Sequence, residues 1–278
     1  MKFGLIFTAL VFCCSAVFSQ HAKWKTLEIE ADTLMAHEDY EAALVHYNQS
    51  IEASGLKDEK SYFSLYKRSI CFYSLSQFEN ALQDIDRFIK LQPDMAQAKL
   101  LRAYIGRDLQ NNEVQLSALG ELLILDPKNI DLLKWRATAF VESGQYAEAR
   151  RDIVVAKRIH NDPELETYHG MSFYYQEQPD SAILYFDKAI ALDNTYITSY
   201  LYAGSLSLDQ EAYDLALSYL NKGLQLDQHN LTLQFYKGIA LVEKTNTIEG
   251  CRCLRKAFAG GVDDAGGYLK EFCYSAGE

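Results

Sequence analysis

Positive charge is scarce in this chain of 278 residues. Lys and Arg number 27 against 38 Asp and Glu, which gives a formal net charge of −11. A protein that tracks a phosphate backbone needs a surplus of Lys and Arg, so this balance argues against nucleic-acid binding. The same shortage argues against a docking surface for anionic lipid. We therefore expect no nucleic acid among the partners.

Catalytic sequence signatures are also missing. The chain contains no GxGxxG, GxxxxGKS, GxxxxGKT, GxSxG or HExxH motif. Its six histidines, at positions 21, 37, 46, 160, 169 and 229, include no pair spaced four residues apart of the kind that binds zinc on a helix. We expect no catalytic residues, no metal site and no cofactor, and hence a protein that is not an enzyme.

Long apolar runs are confined to the N-terminus. Lys2 precedes an apolar run over residues 3–14. Its length suits a signal-peptide core and falls short of the roughly 20 residues that a membrane helix needs. The small side chain of Ser19 suits cleavage before Gln20. This pattern predicts a signal peptide over residues 1–19 and a mature chain without an integral membrane span, exported to the periplasm or the extracellular space.

Cys13 and Cys14 leave a second interpretation of the N-terminus open. A lipid-attachment cysteine is normally preceded by a small residue, and Phe12 or Cys13 in that place fits poorly. Cleavage before Gln20 is therefore our prediction. The alternative is lipoprotein anchoring, which would favour a factor attached to the outer membrane.

What the chain does have is an internal repeat of 34 residues. Small residues recur at one phase, with steps of 38, 34, 34, 33, 34 and 34 residues. Twelve residues after most of them stands an Ala, and four residues further on stands a bulky side chain. Such a period is typical of stacked repeat arrays. The small residues of this phase are Ala31, Ser69, Ala103, Ala137, Gly170, Gly204 and Gly238.

Each unit contains two helical patterns. In the fourth unit Leu133, Ala137 and Phe140 share one helical face, and a turn follows around Gly144. Tyr146 then opens a second face with apolar residues every three or four positions. Small residues let two helices approach closely, and the bulky residue is expected to fill the gap of the neighbouring unit. Because no unit can bury its apolar face alone, stacking must create the core of an all-α protein.

This pattern resembles the tetratricopeptide repeat. A small residue at position 8 of a unit, an aromatic residue at 17, Ala at 20, a bulky residue at 24 and Pro at 32 match that family over about 240 residues. The resemblance implies a right-handed α-solenoid of about seven helix-turn-helix repeats over residues 20–262, followed by a capping helix and tail over residues 263–278. The units start near Trp24, Tyr62, Ala96, Ile130, Pro163, Ile197 and Leu231.

Two units depart from the family pattern. The third has Asn112, Gln115 and Leu119 where the family has an aromatic residue, Ala and an aromatic residue, so its second helix has the weakest signal. The first carries four extra residues near Gly55, which predicts a longer loop. Trp24 stands at the first position of its unit rather than at the usual fourth, and we expect it to cover the core as an N-terminal cap.

In this family the first helix of each unit lines a concave face, so the resemblance implies a partner-binding groove, here rich in aromatic side chains. Tyrosine, of which the chain has 19, suits recognition because it joins a large apolar surface to a polar tip. The alternative is that half of these rings pack between helices. The groove residues are Phe63, Tyr66, Tyr73, Tyr104, Arg107, Lys134, Trp135, Tyr168, Met171, Tyr174, Tyr175, Tyr202 and Tyr236.

The cysteines of the C-terminal segment resemble those in the cap of some exported bacterial members of the family. If the chain turns around residues 260–262, Cys251 and Cys273 stand level on two antiparallel helices, whereas Cys253 points roughly 200° away from Cys251. We predict a Cys251–Cys273 disulfide, with reduced cysteines in a helical cap as the alternative. Helical phase places Cys251 on one face with Ile248, Leu254 and Phe258.

Several other residues are expected to have a structural role rather than a chemical one. Cys71 is expected to be a small buried apolar residue. His169 occupies a position that packs between helices in this family. Asp162, Glu164 and Glu166 are interpreted as acids that the dipole favours at a helix N-terminus.

The resemblance implies a non-enzymatic scaffold of the cell envelope that holds a peptide or helix of another protein, itself exported. A clamp for a C-terminal carboxylate is argued against, because such clamps use Lys at position 5 with Asn at position 9, whereas this chain has Lys134 with Thr138. Two alternatives remain: an outer-membrane-associated assembly or secretion accessory factor, and a regulatory subunit of an enzyme complex.

Overall fold

The computed structural model of the protein describes residues 23–57 and 59–273, and every regular element in these ranges is helical. The predicted signal peptide, residues 1–19, lies outside the described residues. The helices are α1 (residues 23–36), α2 (Tyr40–Ser54), α3 (Glu59–Ser74), α4 (Phe78–Leu91), α5 (Ala96–Asp108), α6 (Asn112–Leu125), α7 (Ile130–Glu142), α8 (Tyr146–Ile159), α9 (Pro163–Tyr174), α10 (Pro179–Leu192), α11 (Ile197–Asp209), α12 (Tyr213–Leu226), α13 (Leu231–Glu243), α14 (Thr247–Ala259) and the short α15 (Ala265–Tyr268), which continues as a π-helical turn (Leu269–Cys273).

Helices α1–α14 form seven hairpins, in each of which an odd-numbered first helix is followed by an even-numbered second helix. The all-helical repeat architecture expected from the sequence is thereby confirmed. The repeat phase and the structure place the starts of the third to seventh units at the same residues. These first helices begin at Ala96, Ile130, Pro163, Ile197 and Leu231.

Each hairpin turn contains one residue in the left-handed backbone region, which lets the first helix end and the chain reverse. Gly144 fills this place in one turn with a φ of 73°, a conformation that a residue without Cβ adopts readily. In the other turns a residue with a side chain adopts it, at a cost of roughly 1 kcal/mol each. Those residues are Glu38, Ser76, Gln110, Glu177, Glu211 and Thr245.

Glycines of the repeat phase allow the two helices of one hairpin to approach closely. A Cβ added to Gly170 would lie 2.5 Å from Phe186, and one added to Gly204 would lie 2.7 Å from Leu220. Each bulky residue therefore rests on the small residue of its own hairpin, sixteen positions earlier. The expectation that it fills the neighbouring unit's gap is only partly right, since the Phe186 ring also stacks on Tyr202 of the next hairpin at 5.8 Å.

The third hairpin accommodates its unusual residues through a close backbone approach. Its second helix, α6, is regular, although Gln115 stands where other units have Ala. Gln115 is buried, and a Cβ added to Gly106 on α5 would lie 2.6 Å from the Gln115 backbone nitrogen. Because Gly106 has no side chain, the backbone of α6 at Gln115 can approach α5 closely. The weak sequence signal thus reflects unusual residues at a close helix contact rather than a missing helix.

In each of two hairpins, a buried ion pair joins the first helix to the second. Arg136 on α7 donates two hydrogen bonds to Asp152 on α8, from Nε and Nη2, both of 2.7 Å. Arg68 and Asp84 form the same fork between α3 and α4 at 2.6 Å. Both aspartates are buried. Each therefore depends on its guanidinium, because an unpaired buried carboxylate is costly.

Contacts divide the chain into two compact units, residues 1–127 and 128–278. The described part of the first unit holds α1–α6 and has a core cluster around the fully buried Phe88. The second unit holds α7–α15, with clusters around Phe186, Leu220 and Leu254.

In the second unit the first helices pack side by side. Helix α9 contacts both α7 and α11, and α11 also contacts α13. The second helices contact chiefly the first helix of their own hairpin and of the next one. The first helices are therefore the more closely spaced layer and line the concave side of this unit.

Trp24 on α1 is buried, as expected for a residue that covers the core. Its backbone carbonyl oxygen accepts a hydrogen bond of 3.0 Å from the Ser50 hydroxyl on α2. This bond ties the start of the described chain to the second helix of the first hairpin.

The C-terminal segment folds back on α14. A disulfide joins Cys251 on α14 to Cys273, with the Cα atoms 5.8 Å apart. Leu269 is buried in the same cluster. Ile248, which helical phase assigned to the face of Cys251, is 82% exposed, and Phe258 is half exposed.

Candidate functional site

Two groove residues predicted in the first unit pack in part against the core. Tyr66 on α3 is half-buried, and its ring centroid lies 5.3 Å from that of Phe88. Phe63 is 38% exposed and meets the same ring at 5.5 Å. For these two rings the alternative interpretation, packing between helices, holds in part.

The other groove residues of the first unit form a bonded cluster. Tyr73 donates a hydrogen bond of 2.5 Å to Asp108 Oδ2, and Arg107 Nε donates one of 2.8 Å to Oδ1. The Arg107 guanidinium lies 5.2 Å from the centroid of the Tyr104 ring. The hydrogen bond from Arg107 lowers the pKa of Asp108. Here the chain holds a guanidinium between a carboxylate and a tyrosine ring.

Lys134 on α7 is bound to carboxylates of its own chain. Its Nζ lies 2.7 Å from Asp162 and 2.6 Å from Glu164, and its side chain is 17% exposed. Asp162 also caps α9, because it accepts a hydrogen bond of 2.8 Å from the Leu165 backbone nitrogen. The acids do lie at a helix N-terminus, as interpreted, but sequence reasoning missed their lysine. Trp135, the neighbouring groove residue, is half-buried.

Six tyrosines on the first-helix side of the second unit are named here the tyrosine face. The rings of Tyr174 and Tyr175 lie 5.2 Å apart. Tyr202 lies within electrostatic reach of Tyr175 and Tyr236. The first five members were predicted groove residues, whereas the last lies in the cap, outside the repeat phase that could have indicated it. The face comprises Tyr168, Tyr174, Tyr175, Tyr202, Tyr236 and Tyr268, none of them fully buried.

Hydrogen bonds orient two hydroxyl groups of the tyrosine face. Tyr174 donates to Asp209, and Tyr168 donates to Glu164 Oε1 at 3.0 Å. Burial, together with the bond to Asp209, raises the pKa of Tyr174 to about 12. Burial and the nearby Glu164 carboxylate raise the pKa of Tyr168 to about 12 as well. These phenols stay neutral at physiological pH, so they offer rings and hydroxyl protons rather than phenolate charge.

Carboxylates border the tyrosine face. Helix α7 ends at Glu142, α11 at Asp209 and α13 at Glu243. Glu142 acts electrostatically on Tyr175, while Glu243 and Asp209 both act on Tyr268. Sequence reasoning did not single out these acids. Their negative charge distinguishes the face from a purely apolar groove.

Two further side chains support the face from the core side. Met171 is half-buried against the cluster around Phe186. Phe235, next to Tyr236 in the chain, is buried and packs in the cluster of Leu254. Its ring meets Tyr268 of the cap at 5.7 Å.

His169 packs between helices, as the family resemblance implies. Its ring stacks on Tyr185 at 3.9 Å and on Phe173 at 5.4 Å. Burial, reinforced by the positive charge of Lys157, lowers the pKa of His169 to about 4. Lys157 itself is bonded to the buried Glu166 at 2.6 Å. The imidazole is therefore a neutral core group.

Two other cysteines of the described residues, Cys71 and Cys253, are buried. Cys71 and Cys253 form no disulfide, and burial raises the pKa of both. In residues 23–57 and 59–273, no three His, Cys, Asp or Glu side chains are grouped to hold a metal ion. No helix in that part of the chain has the length and apolar character needed to cross a membrane.

Stacked hairpins with a small residue at each helix crossing define the class of helical repeat proteins. Within that class, the family model for the tetratricopeptide repeat matches residues 66–130 and 169–230. These two stretches of the chain are tetratricopeptide repeats. Proteins of this family generally mediate contacts between proteins.

Several solved structures have a similar fold. A tetratricopeptide repeat protein from Parabacteroides merdae superposes with a TM-score of 0.67 and 14% identity, covering 90% of this chain and 98% of that one. The C-terminal part of a repeat protein from Cytophaga hutchinsonii gives 0.60 and 16% identity, over 86% and 97%. PilW, a type IV pilus biogenesis factor, gives 0.57 and 13%, over 71% and 92%. These likenesses show the fold.

One curated relative is similar in sequence. Human sperm-associated antigen 1 is 29% identical over 109 residues, which is 39% of this chain. The matched stretch is 11% of the length of that protein.

Proposed function

We propose that this protein is a non-enzymatic scaffold of the cell envelope that holds a peptide or helix of another exported protein on its first-helix side. The observation that carries the proposal is the tyrosine face of the second unit. Its rings are partly exposed, those of Tyr174 and Tyr175 lie 5.2 Å apart, and the bond from Tyr174 to Asp209 orients one hydroxyl group. Aromatic hot spots in interfaces commonly contribute ~2 kcal/mol or more each.

The proposed location rests on two features. The apolar run over residues 3–14, followed by small residues before Gln20, favours export through a signal peptide. The disulfide between Cys251 and Cys273 suits an oxidising compartment. The intact mass of protein purified from the envelope tests this location. A chain that begins at Gln20 supports it, whereas a mass that retains residues 1–19 contradicts it.

Site-specific cross-linking tests whether the tyrosine face binds a partner. The photoreactive residue p-benzoylphenylalanine, close in shape to tyrosine, replaces Tyr175 or Tyr202 in living cells. The matched control places it at Leu184 on the second helix α10, where the side chain is 51% exposed. We expect a discrete cross-linked protein from positions 175 and 202 and none from position 184. Cross-links confined to position 184 would contradict the proposal.

The double variant Tyr175→Ala with Tyr236→Ala separates binding from folding. Since both rings are at least partly exposed, we expect capture of the cross-linked partner to fall at least tenfold, with a nearly unchanged melting temperature. A large fall in melting temperature with capture retained would show that these rings are core residues.

A further inference from the structure

The first unit shows how a guanidinium sits on a tyrosine–aspartate pair of this chain. The bond from Tyr73 to Asp108 and that from Tyr174 to Asp209 both join residues 35 positions apart. In the first unit Arg107 completes the pair by binding Asp108. Its ring partner is Tyr104 at 5.2 Å.

The second unit repeats the pair without its cation. The positions that correspond to Tyr104 and Arg107 hold Ser205 and Leu208. Rings are nevertheless present, because Tyr236 lies within electrostatic reach of Tyr174 and Tyr268 lies within reach of Asp209. The site thus has the carboxylate and the aromatic surface, while the guanidinium is missing from its own chain.

The cations on the first helices of the second unit are already bound elsewhere. Lys134 is held by Asp162 and Glu164, and Arg136 is held by Asp152. The third, Lys237 on α13, lies 3.6 Å from a carboxylate oxygen of Glu249. These three residues are all the Lys and Arg residues that helices α7, α9, α11 and α13 contain.

The carboxylates at the border carry the opposite charge without such neutralisation. Among the residues that the structure describes, no ion pair joins Glu142, Asp209 or Glu243 to a Lys, Arg or His. All three are exposed and stand at helix C-termini. The helix dipole is negative there and disfavours a further negative charge. The helix dipole therefore raises the electrostatic energy of these three carboxylates, and a bound cation would offset this effect.

We propose that the tyrosine face takes a cationic segment, namely an extended stretch of a partner protein that presents an arginine to Asp209 and Glu243. The guanidinium binds the carboxylates and lies over the neighbouring rings, as Arg107 does at Asp108 and Tyr104. The overall charge of −11 adds attraction at longer range. This inference rests on the proposed function and names the chemistry of the partner at the same face.

Binding of a defined peptide tests the inference. The probe is a fluorescent ten-residue peptide with four arginines separated by glycine and serine. Its matched control carries citrulline in place of arginine, which keeps the shape and removes the charge. Fluorescence anisotropy with the full mature chain, at about 50 mM and 200 mM salt, gives the dissociation constants. We expect the arginine peptide to bind at least tenfold more tightly and to weaken at the higher salt.

Charge-neutralising variants locate the binding. Asp209→Asn with Glu243→Gln should weaken the arginine peptide about tenfold and leave the citrulline peptide unchanged. Asp187→Asn is the matched control, because Asp187 also accepts a tyrosine hydrogen bond, from Tyr219 at 2.7 Å, but lies on α10 among the second helices. It should change the affinity less than twofold. Circular dichroism melts of all variants check that each is folded.

Two results would overturn the inference. Equal affinity for the arginine and citrulline peptides would show that the face selects shape rather than charge. An equal loss in the Asp187 variant would show that general charge, not this site, attracts the peptide. In either case a partner cross-linked at Tyr175 would leave the proposed function standing, whereas absence of any cross-link would remove it.

Discussion

The close contact at Gly204 offers a direct test of how the hairpins pack. The change is Gly204→Ala on α11. The added Cβ would lie 2.7 Å from both Cγ and Cδ2 of Leu220, which is fully buried. Overpacking of this kind typically costs about 1–3 kcal/mol. Since alanine in a helix interior gains about 1 kcal/mol over glycine, we expect a net destabilisation of up to ~2 kcal/mol.

A double-mutant cycle isolates the contact. Leu220→Ala alone should cost roughly 3 kcal/mol through the cavity it leaves. In the double variant the new methyl group enters that cavity, so the combined loss should fall short of the sum by about 1–2 kcal/mol. Gly267→Ala is the control for helix propensity, because nothing lies within 4 Å of its added Cβ. It should be neutral or slightly stabilising.

Urea unfolding and hydrogen exchange measure these effects. Repeat proteins uncouple at a weakened interface, so exchange should quicken first in α11 and α12 and then in the adjoining hairpins. Additive losses in the cycle would show that Gly204 and Leu220 do not meet in solution. Stabilisation by Gly204→Ala would refute the packing argument outright.

Three further predictions follow from the fold. Arg136→Met should destabilise the second unit by about 3 kcal/mol in urea unfolding, because it leaves the buried Asp152 without its ion-pair partner. Adding Asp152→Leu should recover most of this loss, and an equal loss in the double variant would contradict the prediction. Glu211→Gly should stabilise the protein by roughly 1 kcal/mol, and Gly144→Ala should destabilise it by a similar amount, because both residues have a backbone in the left-handed region. A Cβ added to Gly144 would touch nothing, so backbone strain alone is tested there. Thermal melts that show no change would refute the strain argument. The folded-state pKa of His169, about 4, lies below its ordinary value, so between about pH 6.5 and 4 the unfolded chain binds more protons than the folded chain. The free energy of unfolding should therefore fall by up to roughly 3 kcal/mol as the pH is lowered through that window. His169→Phe should lose this part of the pH dependence, and equal pH profiles for the two proteins would contradict the prediction.

The repeat phase could be predicted because it is set by packing at one crossing. A bulky residue at such a crossing would collide with the second helix, so a small residue recurs visibly in the sequence. The third unit shows the limit of this reasoning. There the close contact lies between Gly106 and Gln115. No other unit has these two residues at the same positions, so the family pattern does not describe the contact.

The candidate site was predictable only in part. Position in the repeat indicated tyrosines such as Tyr174, because a helix presents the same side at fixed spacing. It did not indicate that Lys134 is neutralised by Asp162, since that pairing depends on side chains from neighbouring hairpins. The equal separation of 35 residues between Tyr73 and Asp108 and between Tyr174 and Asp209 was a readable signal. It has meaning only once the bond is known.

The contact pattern has a consequence for how the chain folds. Each helix contacts mainly the helices next to it in sequence, such as α9 with α10 and α13 with α14. Contacts over short sequence separations close small loops, and proteins built from them fold quickly. A hairpin can therefore form and stack as soon as it leaves the ribosome, before later repeats exist. For the export proposed above, a machinery that moves unfolded chains across a membrane would have to act before this stacking proceeds, so the rate of synthesis and the rate of export would compete.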